Sequence, residues 1–189
     1  MQASIAQSPK RHPITAQEYF RMGEHGILDA DARVELLEGE LIDMPPIGPP
    51  HASSTTRLVR LFSECAKDQA IVSSQNPVLL GDLSAPGPDI ALLKYRDDFY
   101  ASGHPKPDDV LLVVEVADTS LSHDRHRKLP LYARFGIPEA WLVDIINRRI
   151  DIHRDPDDGR YTTQFRLKSP ALISPLLLPD VTLDLSPFL

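Results

Sequence analysis

The chain has 189 residues, 42% of them hydrophobic and 25% charged, which suits one domain with a real core and excludes a disordered polymer. No apolar run approaches the roughly 20 residues of a membrane-crossing helix, and a single cysteine, Cys65, excludes an internal disulfide framework and suits a reducing compartment. With 27 acidic residues against 20 Lys plus Arg, the formal charge is −7; a broadly basic surface is excluded, so any phosphate would be met by a local basic strip or through metal ions.

Residues 1–13 are polar and lack the apolar stretch of a secretory signal. They are expected to be a flexible tail ahead of one domain over residues 14–189, and the expected location is the cytoplasm. Thr15 and Glu18 are spaced as a capping box for a short helix that ends near Gly23 or Gly26. Residues 33–44 (RVELLEGELIDM) predict two short strands around a Glu38-Gly39 turn. A run of prolines at 45–50 then breaks regular structure.

Residues 51–68 predict a helix with Leu58, Leu61, Phe62 and Cys65 on one stripe, so Cys65 is read as a core residue. Residues 70–80 read as extended, with Pro77 marking an edge or bulge. Residues 90–93 follow Pro88-Asp89 as a short buried strand, and a polar loop spans 95–109. Residues 110–116 (VLLVVEV) are the strongest strand, aliphatic and branched as a central strand should be. A helix is expected over 124–135, stopped by Gly136 and Pro138, then a buried strand over 140–146. Strands at 149–154 and 161–167 flank a turn at 155–159, and the proline-rich segment from Ser169 packs as short extended pieces. Alternating helices and strands predict a mixed α/β sheet with a helix on each face.

Two acids stand where the apolar pattern has little reason for them. Glu115 lies inside the greasiest strand, where a carboxylate must be paired, protonated or bound to a cation. Asp89 follows Pro88 at the mouth of the next apolar strand. Two carboxylates on adjacent strands offer what Mg²⁺ takes from a protein, one or two acidic ligands with water completing the shell. Lys128 can add a point charge near an attacking water or a phosphate. The competing account of Glu115 is a buried ion pair, for instance with an arginine; that of Asp89 is a turn or cap.

These residues fall in an ordered set: RVELLEGEL (33–41), the proline loop followed by His51, PDIALL (88–93), VVEVADTS (113–120), and Asp124 through KLPLYARFGIPEAWLVD (128–144). In this the chain resembles a large bacterial family of restriction-endonuclease-like proteins with the PD-(D/E)XK nuclease fold. The resemblance runs from about residue 14 to residue 154. It implies a restriction-endonuclease-like core with a four-stranded mixed sheet flanked by helices, and a metal site of Asp89 and Glu115 with a lysine contributed by Lys128. The motif's usual lysine position, two after the second acid, is Ala117 here, so the lysine has moved to the following helix. If that helix starts near Leu129, Lys128 lies at its N-terminal end, where amides favour phosphate; if it starts at Asp124, Pro130 should kink it.

Other residues are open to two readings. Glu35, Glu38 and Glu40 share the early hairpin, and strand alternation lets Glu35 point inward as a further catalytic acid. Gln75 either touches the site or is a polar edge residue. Asp124 either caps its helix or holds Lys128 at i+4, with capping favoured. His51 is either structural or catalytic. His123 and His126 lack a zinc-binding pattern, while residues 125–128 (RHRK) form a local basic patch that either faces solvent or meets a phosphate backbone. The reading that follows is a Mg²⁺- or Mn²⁺-dependent endonuclease acting on DNA, with Asp89, Glu115, Lys128 and Glu35 at its centre and a homodimer as its assembly. The alternatives are a catalytically silent nuclease-fold module that binds nucleic acid or a protein partner, and a hydrolase of small phosphate esters.

Overall fold

A computed structural model describes residues 11–29 and 31–189; the tail expected over 1–13 lies, up to residue 10, outside the described residues. The Thr15–Glu18 capping box is present, Thr15 Oγ1 accepting from the Glu18 amide at 3.2 Å while Glu18 Oε2 accepts from the Thr15 amide at 2.8 Å. It opens helix α1 (Ala16–Glu24). Strands β1 (Val34–Leu37) and β2 (Glu40–Asp43) form the expected hairpin. Glu38 and Gly39 turn it with φ of 53° and 80°, the paired left-handed geometry that two-residue hairpins favour. A side chain at 39 would also meet Pro13, whose Cβ lies 2.5 Å from the place a Cβ would occupy.

Helix α2 (Pro49–Ala66) starts inside the proline run, because proline is well suited to a first helical turn. Strands β3 (Ile71–Ser73), β4 (Ile90–Leu93), β5 (Val110–Ala117), β6 (Glu139–Asp144), β7 (Arg149–Asp157) and β8 (Arg160–Arg166) form one six-stranded sheet in chain order. Six strands replace the four that the resemblance implies, since β3 extends one side and the β7–β8 hairpin the other. Within this sheet only β5 and β6 are parallel. A parallel pair needs a crossover, which residues 121–134 supply. The last hairpin turns more tightly than expected: β7 runs through Pro156 to Asp157, leaving only Asp158-Gly159 as the turn. Short strands β9 (Leu172–Ile173) and β10 (Leu183–Asp184) pair in the proline-rich segment.

Alternation along β5 divides the core. Leu112, Val114 and Val116 pack with Leu58 and Phe62 of α2 and with Trp141. Val113 and Ala117 pack on the opposite face with Leu129, Tyr132 and Leu142. Cys65 is half-buried against the α2-side core. Glu115 shares the face of Val113 and Ala117, beneath the crossover helix.

The crossover is one helical segment of changing pitch. It begins at Leu121 as α3 (Leu121–His123), widens into a π-helical turn over Asp124–Lys128, and continues as α4 (Leu129–Arg134). The Leu129 amide bonds the Asp124 carbonyl, five residues back. Pro130 supplies the reason: it has no N–H to give, and its ring crowds the carbonyl four residues earlier, so the wider turn admits it without ending the helix. The regular α-helix thus starts at Leu129, as one of the two alternatives supposed, but α3 and the π turn precede it, so Lys128 lies inside a continuous helical segment without a free N-terminus. Asp124 is not a cap, since the helix has already begun.

Candidate active site

Five elements aim polar side chains into one small cavity of about 40 Å³. β1 brings Glu35, the first turn of α2 brings His51, the entry to β4 brings Asp89, β5 brings Glu115, and the π turn brings Asp124 and Lys128. All six are buried, none more than 8% exposed. The acids and lysine singled out from sequence, including Glu35, are thus gathered in one place. Glu38 and Glu40 are not; they face outward and pair with Arg134 and Arg127.

Asp89 and Glu115 meet across the antiparallel β4–β5 ladder. Ile90 pairs with Val114, which sets Asp89 beside the Glu115–Val116 segment, and Asp89 Oδ2 accepts from the Val116 amide at 2.8 Å. The same oxygen lies 3.1 Å from His51 Nε2, and Oδ1 accepts from Gln75 Nε2 at 3.3 Å. Burial alone would raise the Asp89 pKa, but His51 and the Val116 amide outweigh it and hold the carboxyl below its ordinary value. Asp89 in turn raises His51.

Glu115 is held from the helix rather than by an arginine. Lys128 Nζ donates to Glu115 Oε2 at 3.2 Å and to Glu35 Oε1 at 3.0 Å, and Tyr132 Oη donates to Glu115 Oε1 at 2.5 Å. Burial drives Glu115 well above the ordinary carboxylate range; Lys128 opposes this, while Asp124, Asp89 and Glu35 add to it. Burial pushes Asp124 up to about 6, with Lys128 and the Ser120 hydroxyl, 2.6 Å from Oδ2, pulling the other way. Lys128, whose burial would favour the neutral amine, is kept protonated above its ordinary pKa by Glu115, Glu35 and Asp124. Four carboxyl groups thus crowd one lysine and one histidine; two of them, Glu115 and Asp124, are raised toward the neutral acid, and a bound cation would favour their ionised forms.

Tyr132 is not among the residues that the sequence singles out. Its signal is present all the same: it stands four residues after Lys128, as Lys128 stands four after Asp124, so all three fall on one helical face.

A divalent cation fits these residues in a specific sense. Among the described residues no three His, Cys, Asp or Glu side chains converge as a ready-made cage. Mg²⁺ does not require one, being usually held by one or two carboxylates and several waters. Glu35 Oε2 is buried with no hydrogen-bond partner among the described residues, so an acceptor oxygen faces the cavity with nothing to bind.

A mixed central sheet flanked by helices, with acids at neighbouring strands β4 and β5 and a lysine reaching Glu115 from the crossover helix, defines a restriction-endonuclease-like fold. The Uma2 family model, described as "Putative restriction endonuclease", matches residues 16–186, and the chain belongs to that family. It is also similar to a crystal structure from Anabaena variabilis, described as a putative nuclease belonging to DUF820. That likeness has a TM-score of 0.72 at 17% identity and covers 93% of this chain and 97% of the other; at such identity it speaks for the fold alone. No curated protein matches the chain significantly.

Proposed function

We propose that the chain is a divalent-metal-dependent endonuclease that hydrolyses phosphodiester bonds of DNA, working in the cytoplasm as a homodimer. The observation that carries this is the joint burial of Glu35, Asp89 and Glu115 around Lys128, with one Glu35 oxygen left unpartnered among the described residues. A solely structural ion pair needs one acid for one lysine; extra buried carboxylates cost stability and call for a second cation.

Asp89 and Glu115 would hold Mg²⁺ or Mn²⁺, and Glu35 would assist through its free oxygen. Once bound, the ion supplies Lewis acidity toward a phosphoryl oxygen and lowers the pKa of a water. The chain's own residues do the rest. His51 and the Val116 amide fix the orientation of Asp89, and Tyr132 fixes that of Glu115. Lys128, permanently charged, offers the donor that can orient water or meet a non-bridging phosphate oxygen. Burial of the whole group limits competing water and strengthens each interaction.

The test is nicking of supercoiled plasmid with Mn²⁺, with Mg²⁺ and with EDTA, comparing wild type with Glu115→Ala and Lys128→Ala. Cleavage should need the ion and fall by orders of magnitude in both variants. Cleavage by Glu115→Ala equal to wild type would end the assignment. Sedimentation of the full chain, alone and with duplex, checks the dimer.

A further inference from the structure

The basic patch legible at 125–128 is divided by folding. Lys128 enters the acid cavity, Arg127 turns to Glu40 at 3.2 Å, and Arg125 turns the other way to Asp151 at 3.0 Å. There Arg125 meets arginines that lie far along the chain. Arg166 Nε donates to Asp151 Oδ1 at 2.7 Å, and Arg160 faces the same groove with no ion pair among the described residues. This groove, between α4 and β7–β8, encloses about 530 Å³.

Three guanidinium groups line this groove, with Asp151 between Arg125 and Arg166 and with Asp157, the cross-strand partner of Arg160, at its end. Asp151 holds Arg125 and Arg166 together, yet each guanidinium has five N–H donors and spends only one or two on it. The groove wall also includes His153, 8% exposed, whose Nε2 is buried with no partner among the described residues. A fixed arginine pair with spare donors is suited to phosphate oxygens.

Its position relative to the acids follows from strand register. Glu115 pairs with Leu142, Leu142 with Asp151, and Asp151 with Arg166. Strands lie about 4.8 Å apart, so Glu115 and Arg166 stand roughly 14 Å apart through the sheet. Leu142 between them is buried beneath the crossover helix, so a strand joining cavity and groove passes over that helix and, at about 3.4 Å per nucleotide, spans at least about four nucleotides. The β7–β8 turn bounds the far end with Asp157 and Asp158, which repel a phosphate chain and favour its arrival from the Arg166 side.

We propose that this groove is the track for the nucleic-acid backbone: a strand whose phosphodiester reaches the acid cavity lays one phosphate, a few nucleotides away, against Arg125 and Arg166 and a further one against Arg160, about 20 Å along β8. The inference rests on the nuclease reading and adds the surface that grips the substrate. Interactions of this kind set position without reading sequence.

The experiment is anisotropy of a fluorescein-labelled DNA duplex in EDTA, titrated with wild type, Arg160→Ala, Arg166→Ala and Arg60→Ala across a series of salt concentrations. Arg160 is exposed and unpaired among the described residues, so its removal breaks no ion pair seen in the fold. Each groove variant should bind several-fold more weakly, and its slope of log affinity against log salt should be shallower by about 0.9 for each phosphate that is no longer neutralised. Arg60, exposed on α2 across the sheet, should leave both unchanged. Groove variants that bind like wild type, an equal weakening with Arg60→Ala, or a wild type that does not bind would each overturn the proposal. Weaker binding by the groove variants while wild type fails to nick would sink the metal-site reading and leave the groove. Nicking by a wild type whose groove variants bind normally would do the reverse.

Discussion

Tyr132 and Lys128 grip the two oxygens of Glu115 separately, the phenol at Oε1 and the ammonium at Oε2, from positions four residues apart on the crossover helix. A carboxylate buried in the central strand is thereby fixed in direction as well as in charge. The helix also holds the α4-side core in place, so the orientation of the acid depends on packing as well as on its hydrogen bonds.

Tyr132→Phe keeps that packing and removes one donor. The buried Glu115 oxygen left behind should cost about 1–3 kcal/mol of stability, visible as a lower urea midpoint at unchanged slope. Nicking should fall while duplex affinity holds. A variant as stable and as active as wild type would show that the bond contributes nothing.

Lys128→Met fills similar space without the charge. Breaking a buried pair from one side typically costs about 3–5 kcal/mol, and here Glu115 and Glu35 lose their shared partner together. Saturating Mg²⁺ should recover part of this, since a divalent ion can neutralise the same oxygens. Denaturation curves with and without Mg²⁺ that differ no more than those of wild type would contradict the proposed cation site.

Asp124 gives a pH signature. Its carboxyl is 3.8 ordinarily and about 6 in the fold, so the folded state holds the proton more tightly. That contribution is full below 3.8 and is lost as pH rises through about 6; the difference is about 3 kcal/mol. Asp124→Asn should flatten the fall of the urea midpoint with pH across this window, leaving the part due to Glu115, which is raised for the same reason. Identical slopes for variant and wild type would refute it. Cation affinity should run the other way, tightening as pH rises.

His51→Ala removes a group that orients Asp89 without itself facing the proposed ion as a carboxylate. Partners of this kind typically change metal affinity by about 10–100-fold. Calorimetry with Mn²⁺ should show a weakening of about that size, and the thermal midpoint should fall as well because buried Asp89 loses a partner. Unchanged Mn²⁺ affinity would make His51 a purely structural residue of the α2 first turn.

Much of the fold was legible because its signals are local. The Thr15–Glu18 box, the Glu38-Gly39 turn and the aliphatic run of β5 each specify their own conformation, and each appears where expected. Glu115 and Asp89 were legible because a lone acid in an apolar strand conflicts with its surroundings. What remained hidden depends on chain segments meeting. Nothing near Arg125 announces Arg166, since only the β7–β8 register and the tilt of the helix bring both to Asp151. The π turn was hidden for another reason: Pro130 signals interference with a helix, but the sequence does not say whether the backbone breaks or widens, as it does here.

In this molecule the acids belong to the sheet and the lysine to a separate rod laid across it. The strand site where the lysine would otherwise reside, Ala117, is sealed into the α4-side core, so no second cation can substitute from that direction. Lys128 and Tyr132 reach Glu115 from this rod, whereas the backbone positions of Asp89 and Glu115 are set by the β4–β5 ladder. Charge delivery and acid placement are thus mechanically separable, and the extra backbone unit accommodated before Pro130 is the joint between them.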